Sequence, residues 1–344
     1  MKIFNDLDAP YVSSNGCVLA VGNFDGVHKG HQRIFETAVD RAQASGLEAV
    51  LLTFSKHPSA VLRPDDTPEP LMALSDRLLI AGNFGFNAAF VLDFDQRMAA
   101  LSPEQFVRQI LMNRLNTRTV VAGENWRFGQ GRKGDMTMLS SLGIQSGFEA
   151  FAVEPFMVDD LPVSSTRIRG ALAAGDVAGA GKLLGRPHFV RGTVVRGEAR
   201  GRRLGYPTVN LDCHHILVPG EGVFTGGYST AHYRKEDSKG GKPGNLTEGS
   251  IGPAAISIGS SPTFGNGPFA VEAFLVGWEG ELYGQKVTLA FFDRLRDQHA
   301  FKHEEDLADQ IAMDVERSRD VFSVHEMEDI PLPADLIKTV TPWS

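Results

Sequence analysis

GNFDGVHKGH, Gly22 to His31, follows directly on the apolar run Cys17 to Val21 and precedes a helical pattern. A strand that ends in a glycine-rich turn and opens a helix is the building unit of parallel sheets covered by helices. In such sheets ligands bind at the carboxyl ends of the strands, and a helix start offers N–H groups and a positive dipole end to phosphate. Gly22, Gly26 and Gly30 relax the backbone over a short stretch that also carries His28 and His31. Imidazoles placed there can donate to a phosphoryl group as its charge is redistributed. The string is neither GxxxxGK followed by Ser or Thr nor GxGxxG. The competing readings are a plain turn with two surface histidines and a metal pair, and two histidines without a further ligand set make a poor zinc site.

Working outward, short apolar runs alternate with helical patterns as far as about Leu184. The strands expected are Cys17 to Val21, Ala49 to Phe54, Ala89 to Leu92, Thr119 to Ala122 and Phe151 to Val153. The clearest helix is Pro103 to Leu115, where Ser102 and Gln105 form a capping box with proline at the first helical position. After Gly185-Arg186-Pro187 strand-like runs follow one another without helices: Phe189 to Val195, Gly222 to Tyr228, Ala254 to Ile258, Phe269 to Val276 and Lys286 to Phe292. That spacing fits a small antiparallel barrel or sandwich. A terminal helix, about Glu304 to Arg319, carries Leu307, Ile311 and Val315 at helical spacing. The expected domains are 1–186 and 187–322, then an acidic tail, 323–344. Residues 234–253 read as a polar surface loop.

Length agrees with two domains, since 344 residues exceed the usual span of one. A formal charge of −8 argues against a protein that coats nucleic acid or an anionic membrane, while leaving small anions as ligands. The two cysteines, Cys17 and Cys213, form no CxxC pair and give no disulfide framework. Asp6, Asp8 and Pro10 interrupt the apolar core that a signal peptide would need, and no run approaches a membrane span, so a cytoplasmic enzyme is expected. Oligomeric state is not read from the sequence.

Three further strings carry chemistry. VSSTRIRGAL, Val163 to Leu172, has a hydroxyl-rich helix start, Ser164, Ser165 and Thr166 followed by Arg167 and Arg169, that can cap itself or hold phosphates through hydroxyl, N–H and guanidinium donors. In RGTVVRGEARGRRLGYPTVNL, Arg191 to Leu211, Gly197, Gly201 and Gly205 allow close approach of backbone N–H groups, and Arg200, Arg202 and Arg203 supply charge. Thr208 and Asn210 then offer a hydroxyl and an amide beside a nucleotide, a normal way to hold Mg²⁺. Read alone, this is equally a basic glycine-rich hairpin. Glu272 is the one charged residue in the run Phe269 to Val276, and period-two alternation sets it opposite Val271 and Ala273. It is either a strand glutamate facing solvent or a carboxylate put to use.

Taken in order, GNFDGVHKGH, TFSKHP at Thr53 to Pro58, GENWRFG at Gly123 to Gly129 and SSTRIR at Ser164 to Arg169 resemble the FMN adenylyltransferase module of bacterial bifunctional FAD synthetases. GRRLGYPTVNL, GVF at Gly222, SIGSSPTFG at Ser257, VEAFLV at Val271, LYG at Leu282 and FFDRLRDQHAF at Phe291 resemble the riboflavin kinase module that follows it. The resemblance implies a Rossmann-like parallel-sheet nucleotidyltransferase domain, then a small antiparallel β-barrel with a C-terminal helix. It implies riboflavin, FMN and ATP as substrates, Mg²⁺ as cofactor, and FMN then FAD as products. On the adenylyltransferase side it implies ATP contacts at Gly22, Phe24, His28, His31, Ser164, Thr166 and Arg167, and flavin-side contacts at Phe54, His57, Asn125, Arg127 and Phe128. On the kinase side it implies ATP contacts at Gly197, Arg200, Gly205, Thr208 and Asn210, metal at Thr208, Glu272 as catalytic base and Arg296 at the flavin. Ser55-Lys56, Asn125-Trp126, Ser260-Ser261 and Ala273-Phe274 depart from the usual family residues. Two alternatives compete: a single-activity nucleotidyltransferase with a regulatory barrel, and a flavin-binding regulator on a retired scaffold.

Overall fold

The computed structural model describes residues 1–6, 15–197, 200–213, 215–230, 251–260 and 269–324. Most of the 234–253 loop, Ser261 and the tail beyond 324 lie outside the described residues. The chain divides into two compact units, Met1–Ser165 and Thr166–Ser344. The dividing point falls inside the SSTRIR string.

In the first unit the elements run β1 (Lys2–Phe4), β2 (Cys17–Val21), α1 (Lys29–Ser45), β3 (Glu48–Phe54), α2 (Ser59–Leu62), α3 (Leu74–Phe84), β4 (Ala88–Leu92), α4 (Gln96–Ala100) and α5 (Pro103–Phe106). They continue through β5 (Thr117–Gly123), α6 (Met136–Ser146), β6 (Glu149–Val153) and a small hairpin, β7 (Met157–Val158) with β8 (Leu161–Pro162). The sheet is six-stranded and parallel, in the order β1-β4-β3-β2-β5-β6. All five residues of β2 are buried, which is what a strand covered on both faces requires. From β2 the chain moves to β3 on one side, and β5 is laid down later on the other. Such a reversal leaves a crevice at the strand ends, where ligands settle. GNFDGVHKGH, TFSKHP and GENWRFG all lie at the carboxyl ends of these three strands.

The capping box at Ser102 is present, with Gln105 N–H donating to Ser102 Oγ at 3.2 Å and Ser102 N–H to Gln105 Oε1 at 2.9 Å. The expected helix through Leu115 is only α-helical to Phe106; a π-helix, Val107–Met112, continues it. Backbone bonds there reach the fifth residue back, as from Asn113 to Arg108 at 3.0 Å and Leu115 to Ile110 at 3.3 Å. Val107, Ile110, Leu111 and Leu115 are buried, the spacing an α-helix would also give, so apolar periodicity does not reveal the wider turn.

The second unit continues with α7 (Ser165–Ala173), α8 (Val177–Leu184), β9 (His188–Val195), α9 (Arg200–Arg203), β10 (Thr208–Asp212), β11 (Gly222–Thr230), β12 (Ile251–Gly259), β13 (Ala270–Leu275), β14 (Lys286–Arg296) and α10 (Glu304–Val324). Its strands close into a barrel, β10-β13-β12-β11-β14-β9, with antiparallel pairing throughout. Of the two architectures left open, the barrel is the one formed. Closure leaves no free edge among these strands. Ala254, Ile256, Ile258, Val271, Ala273 and Leu275 fill one face of β12 and β13. Helix α10 packs on β11 and β12, and α8 packs on β9 and β14. The sequence reading missed β10. Thr208 and Asn210 were read there for their hydroxyl and amide, within a basic glycine-rich hairpin, and not as a strand.

Candidate active sites

The histidine loop is held by its own side chains. Gly22 N–H donates to Leu52 O at 3.1 Å, continuing the sheet past β2. The Phe24 ring then folds back so closely that a Cβ on Gly22 would sit 2.9 Å from its Cζ, which is why this position carries no side chain. Phe24 is buried, edge-on to Phe35 at 4.8 Å and to His31 at 5.3 Å. Phe24 (φ 52°) and Val27 (φ 37°) both adopt left-handed backbone, an unfavourable state, most of all for a β-branched residue.

His28 is the N-cap of α1, with His31 N–H donating to its Nδ1 at 3.4 Å. An accepting Nδ1 assigns the proton of the neutral ring to Nε2. The His28 and His31 rings stack at 3.6 Å between centroids, 17° from parallel. They therefore stand as a pair at the helix end where anions are favoured. Ser165 Oγ donates to Asp25 O at 3.0 Å, bringing the start of the SSTRIR string to the same loop. Ser164 and Arg167 are half-buried and Thr166 is exposed.

Two groups that the sequence reading did not single out hold this loop from below. The buried Asp25 carboxylate accepts Leu71 N–H at 3.0 Å and 3.3 Å. Arg77, also buried, donates to Thr53 Oγ1 and to Phe54 O. Asp25 was inside the quoted motif and so could have been found. Arg77 lay in an ordinary amphipathic pattern and gave no signal.

The residues expected on the flavin side divide between the buried core, which takes Phe54 and Phe128, and more exposed positions. Phe54 is buried edge-on to Phe94 at 5.4 Å, and Phe128 is buried against Trp126 (4.6 Å, stacked) and Phe106 (5.7 Å). His57 Nδ1 accepts Ser59 N–H at 3.1 Å and meets Ser59 Oγ at 2.5 Å, which ties it to the start of α2. Asn125 and Arg127 are exposed and line a polar pocket of about 410 Å³ with Glu124, Asp135, Thr137 and Ser140. Phe54, His57 and Phe128 do not line it.

In the barrel the site is made by register. Asn210 on β10 lies directly opposite Glu272 on β13, and Glu272 lies directly opposite Ser257 on β12. Thr208 pairs with Phe274, so Thr208, Asn210, Glu272, Phe274 and Ser257 share one face. That face is the half-buried one, opposite Val271, Ala273 and Leu275. Glu272 is thus set on the face that alternation predicts. Tyr206 stands edge-on to Phe274 at 5.4 Å. Gln298 Nε2 donates to Ser257 Oγ at 2.9 Å and to Ile258 O at 3.2 Å, tying the segment after β14 to the same row.

Gly197 lies so close to the Asn210 amide that a Cβ there would overlap it. Gly205, at φ 84°, ends α9, and its N–H donates to Arg202 O at 3.3 Å. Arg202 and Arg203 are exposed; the Arg200 side chain is outside the described residues. Arg296 is engaged with α10: its Nη2 meets Asp314 Oδ2 at 2.6 Å and its Nε meets the same carboxylate at 3.1 Å and 3.2 Å. Gln310 Nε2 donates to that carboxylate at 3.0 Å.

Two family models match in tandem, FAD synthetase over residues 12–167 and riboflavin kinase over residues 184–322. A bifunctional riboflavin kinase/FMN adenylyltransferase of Pseudomonas fluorescens is 34% identical over 305 residues, covering 88% of this chain and 92% of that one. The chain belongs to the bifunctional riboflavin kinase/FMN adenylyltransferase family. The corresponding proteins of Bacillus subtilis strain 168 (34% identical, 89% and 92% covered) and Escherichia coli K12 (30%, 90% and 94%) agree with it. A solved structure titled as a macrolide-efflux protein of Streptococcus pneumoniae superposes with a TM-score of 0.78, at 29% identity, over 93% of this chain and 99% of that one. Among the described residues no helix is long and apolar enough to cross a membrane.

For a bifunctional riboflavin kinase/FMN adenylyltransferase, the two loci lie where the two family models do. The histidine loop falls in the FAD synthetase segment, and the Asn210–Glu272–Ser257 row falls in the riboflavin kinase segment.

Proposed function

We infer that this chain phosphorylates riboflavin to FMN and then adenylylates FMN to FAD. The observation that carries the reading is the pairing of Glu272 with Asn210 across β13 and β10, in the same chain as the stacked His28 and His31 at a helix N-terminus. A bare binding module has no need of either arrangement.

In the kinase reaction the riboflavin 5′-hydroxyl oxygen bonds to the γ-phosphorus of ATP while the bond to the β,γ-bridging oxygen breaks and ADP leaves. Glu272 takes the hydroxyl proton. Its half-buried place on an otherwise apolar strand supports that role, because a carboxylate there is costly unless it is used. Thr208 and Asn210 share its face and would hold the nucleotide with Mg²⁺. Among the described residues no three His, Cys, Asp or Glu gather as a metal cluster. Mg²⁺ bound mainly by waters and phosphate oxygens needs none, so this donor set fits it. When bound, the ion neutralises charge developing on the transferred phosphoryl group.

In the adenylyl reaction an FMN phosphate oxygen bonds to the α-phosphorus of a second ATP, and pyrophosphate leaves. The Nε2–H of His28 and the ring of His31 would donate to phosphate oxygens as that charge shifts, a role that their stacking at the helix N-terminus supports. Ser164, Thr166 and Arg167 would add hydroxyl and guanidinium donors. Phe54, His57, Asn125, Arg127 and Phe128 are proposed for the flavin side, with Asn125 and Arg127 reaching it through their pocket. Residues 1–186 are proposed as the adenylyltransferase module and 187–322 as the kinase module. The small-molecule partners are riboflavin, FMN and ATP, and the cytoplasm supplies the ATP.

Chromatography of products from riboflavin, ATP and Mg²⁺ tests the reading. FMN followed by FAD is expected. FMN alone would leave a kinase only, and no flavin nucleotide at all would favour a binding protein.

A further inference from the structure

Arg77, on α3, is a cation that neither reaction above uses. Only 5% of it is exposed. Its Nη1 donates to Thr53 Oγ1 at 3.2 Å and to the Phe54 carbonyl at 3.1 Å. Thr53 Oγ1 in turn donates to the carbonyl of Asn23 at 3.2 Å, inside the histidine loop. A hydroxyl has one proton, so this relay has a fixed direction: Arg77 to Thr53 to Asn23. The carboxyl ends of two neighbouring strands are held this way, the last carbonyl of β3 directly and the loop after β2 through the threonine.

A buried guanidinium is an expensive fastener. Burial lowers its pKa from the ordinary value, and the charge of Asp25 works in the opposite direction. A well-packed apolar side chain would commonly stabilise the unit as well or better. The cation therefore has to be explained by what it holds. What it holds is a loop with left-handed backbone at Phe24 and Val27, a conformation that persists only where its surroundings enforce it. The same loop carries Asp25, gripped at Leu71 N–H through its carboxylate and at Ser165 Oγ through its carbonyl.

We propose that Arg77 and Thr53 are positioning residues for adenylyl transfer, fixing the histidine loop in its strained form before ATP binds. This rests on reading the α/β unit as an FMN adenylyltransferase. Without the relay, ordering the loop would have to be driven by ATP binding, so the loss appears as a raised KM for ATP.

The test is steady-state kinetics of FAD formation from supplied FMN, with riboflavin phosphorylation measured on the same preparation. Wild-type FAD formation first establishes the underlying reading; its absence would sink that reading and leave Arg77 with nothing to position. Arg77→Met is expected to raise KM for ATP about tenfold, the weight of one lost charge-assisted hydrogen bond. Its kcat should stay within about threefold and the kinase rate should not change. Arg77→Lys should return KM most of the way, because an ammonium can donate to both oxygens that Nη1 serves. Thr53→Val keeps the branched shape and the Arg77–Phe54 bond, cuts only the relay to Asn23, and should raise KM by a smaller factor. It also decides the matter if Arg77→Met fails to fold. An unchanged KM in Thr53→Val and in every folded Arg77 variant would overturn the proposal. So would a fall in kcat alone, which reports fewer folded molecules.

Discussion

In the α/β unit His28 and His31 meet because a helix begins between them and their rings fall on consecutive turns. In the barrel Asn210 and Glu272 meet because two strands far apart in sequence pair in one particular register. The first site is local, and its strain sits in the backbone of one loop. The second is a row of side chains, Asn210, Glu272 and Ser257, contributed by three paired strands. A local site announces itself in sequence and fails when its supports are loosened. A register site shows its residues in sequence one at a time and hides which of them meet.

The largest effect expected from that contrast is at Glu272. Glu272→Gln keeps shape and hydrogen-bonding reach but cannot take the 5′-hydroxyl proton, so FMN formation should fall by roughly 10² to 10⁴. Conversion of supplied FMN to FAD should be unchanged. Near-normal FMN formation in the purified variant would remove Glu272 as the base.

Next in size is the loop. His28→Ala should slow FAD formation by roughly 10² to 10³, the usual weight of one donor to a reacting phosphoryl group, with riboflavin phosphorylation intact. Equal loss of both reactions in a folded variant would mean that the two sites are not separate.

How far each site could be read beforehand follows the same division. The strand–glycine turn–helix sense of Gly22 to His31 and the capping box at Ser102 were legible, because every residue involved is within a few positions of the next. The alternation that set Glu272 opposite Val271 and Ala273 was legible too. That Ser257 and Asn210 flank Glu272 was not, since pairing partners and register depend on the whole barrel closing. Neither was the relay under the loop: Arg77 carries no local mark of burial, and only the three-dimensional course of α3 puts it beside Thr53. Arg296 was chosen by resemblance, and its bidentate grip on Asp314 could be seen only once α10 was in place.

The contact division sharpens the boundary. Helix α8 packs on β9 and β14 with Val177, Ala180, Leu183 and Leu184 buried. A fragment beginning at Thr166 should therefore be more stable than one beginning at 187, by about 3 kcal/mol for the apolar surface uncovered. Urea midpoints of the two fragments measure this, and equal midpoints would place α8 outside the kinase module.

A smaller effect is expected from acid, and it belongs to the barrel. Burial pushes His188 down from 6.5 to about 4, against the raising influence of its bond to Leu217 O at 3.0 Å. The ring is neutral in the fold, whereas the unfolded chain takes up the proton near pH 6.5. Its contribution is therefore complete above pH 6.5 and is lost as pH falls toward 4, by about 1.4 kcal/mol per unit. Between pH 7 and pH 5 the loss should be about 2 kcal/mol. His188→Gln should remove this part of the pH dependence in urea titrations, and a variant that keeps the full slope would assign it elsewhere.

The claim that one chain holds two independent sites is tested most directly by mixing. Glu272→Gln alone and His28→Ala alone should each fail to carry riboflavin through to FAD at an appreciable rate. Combined in one vessel with riboflavin, ATP and Mg²⁺, they should restore FAD, because FMN released by the second variant is adenylylated by the first. A mixture no better than its better component, with both variants folded and each active in its remaining half-reaction, would contradict the account.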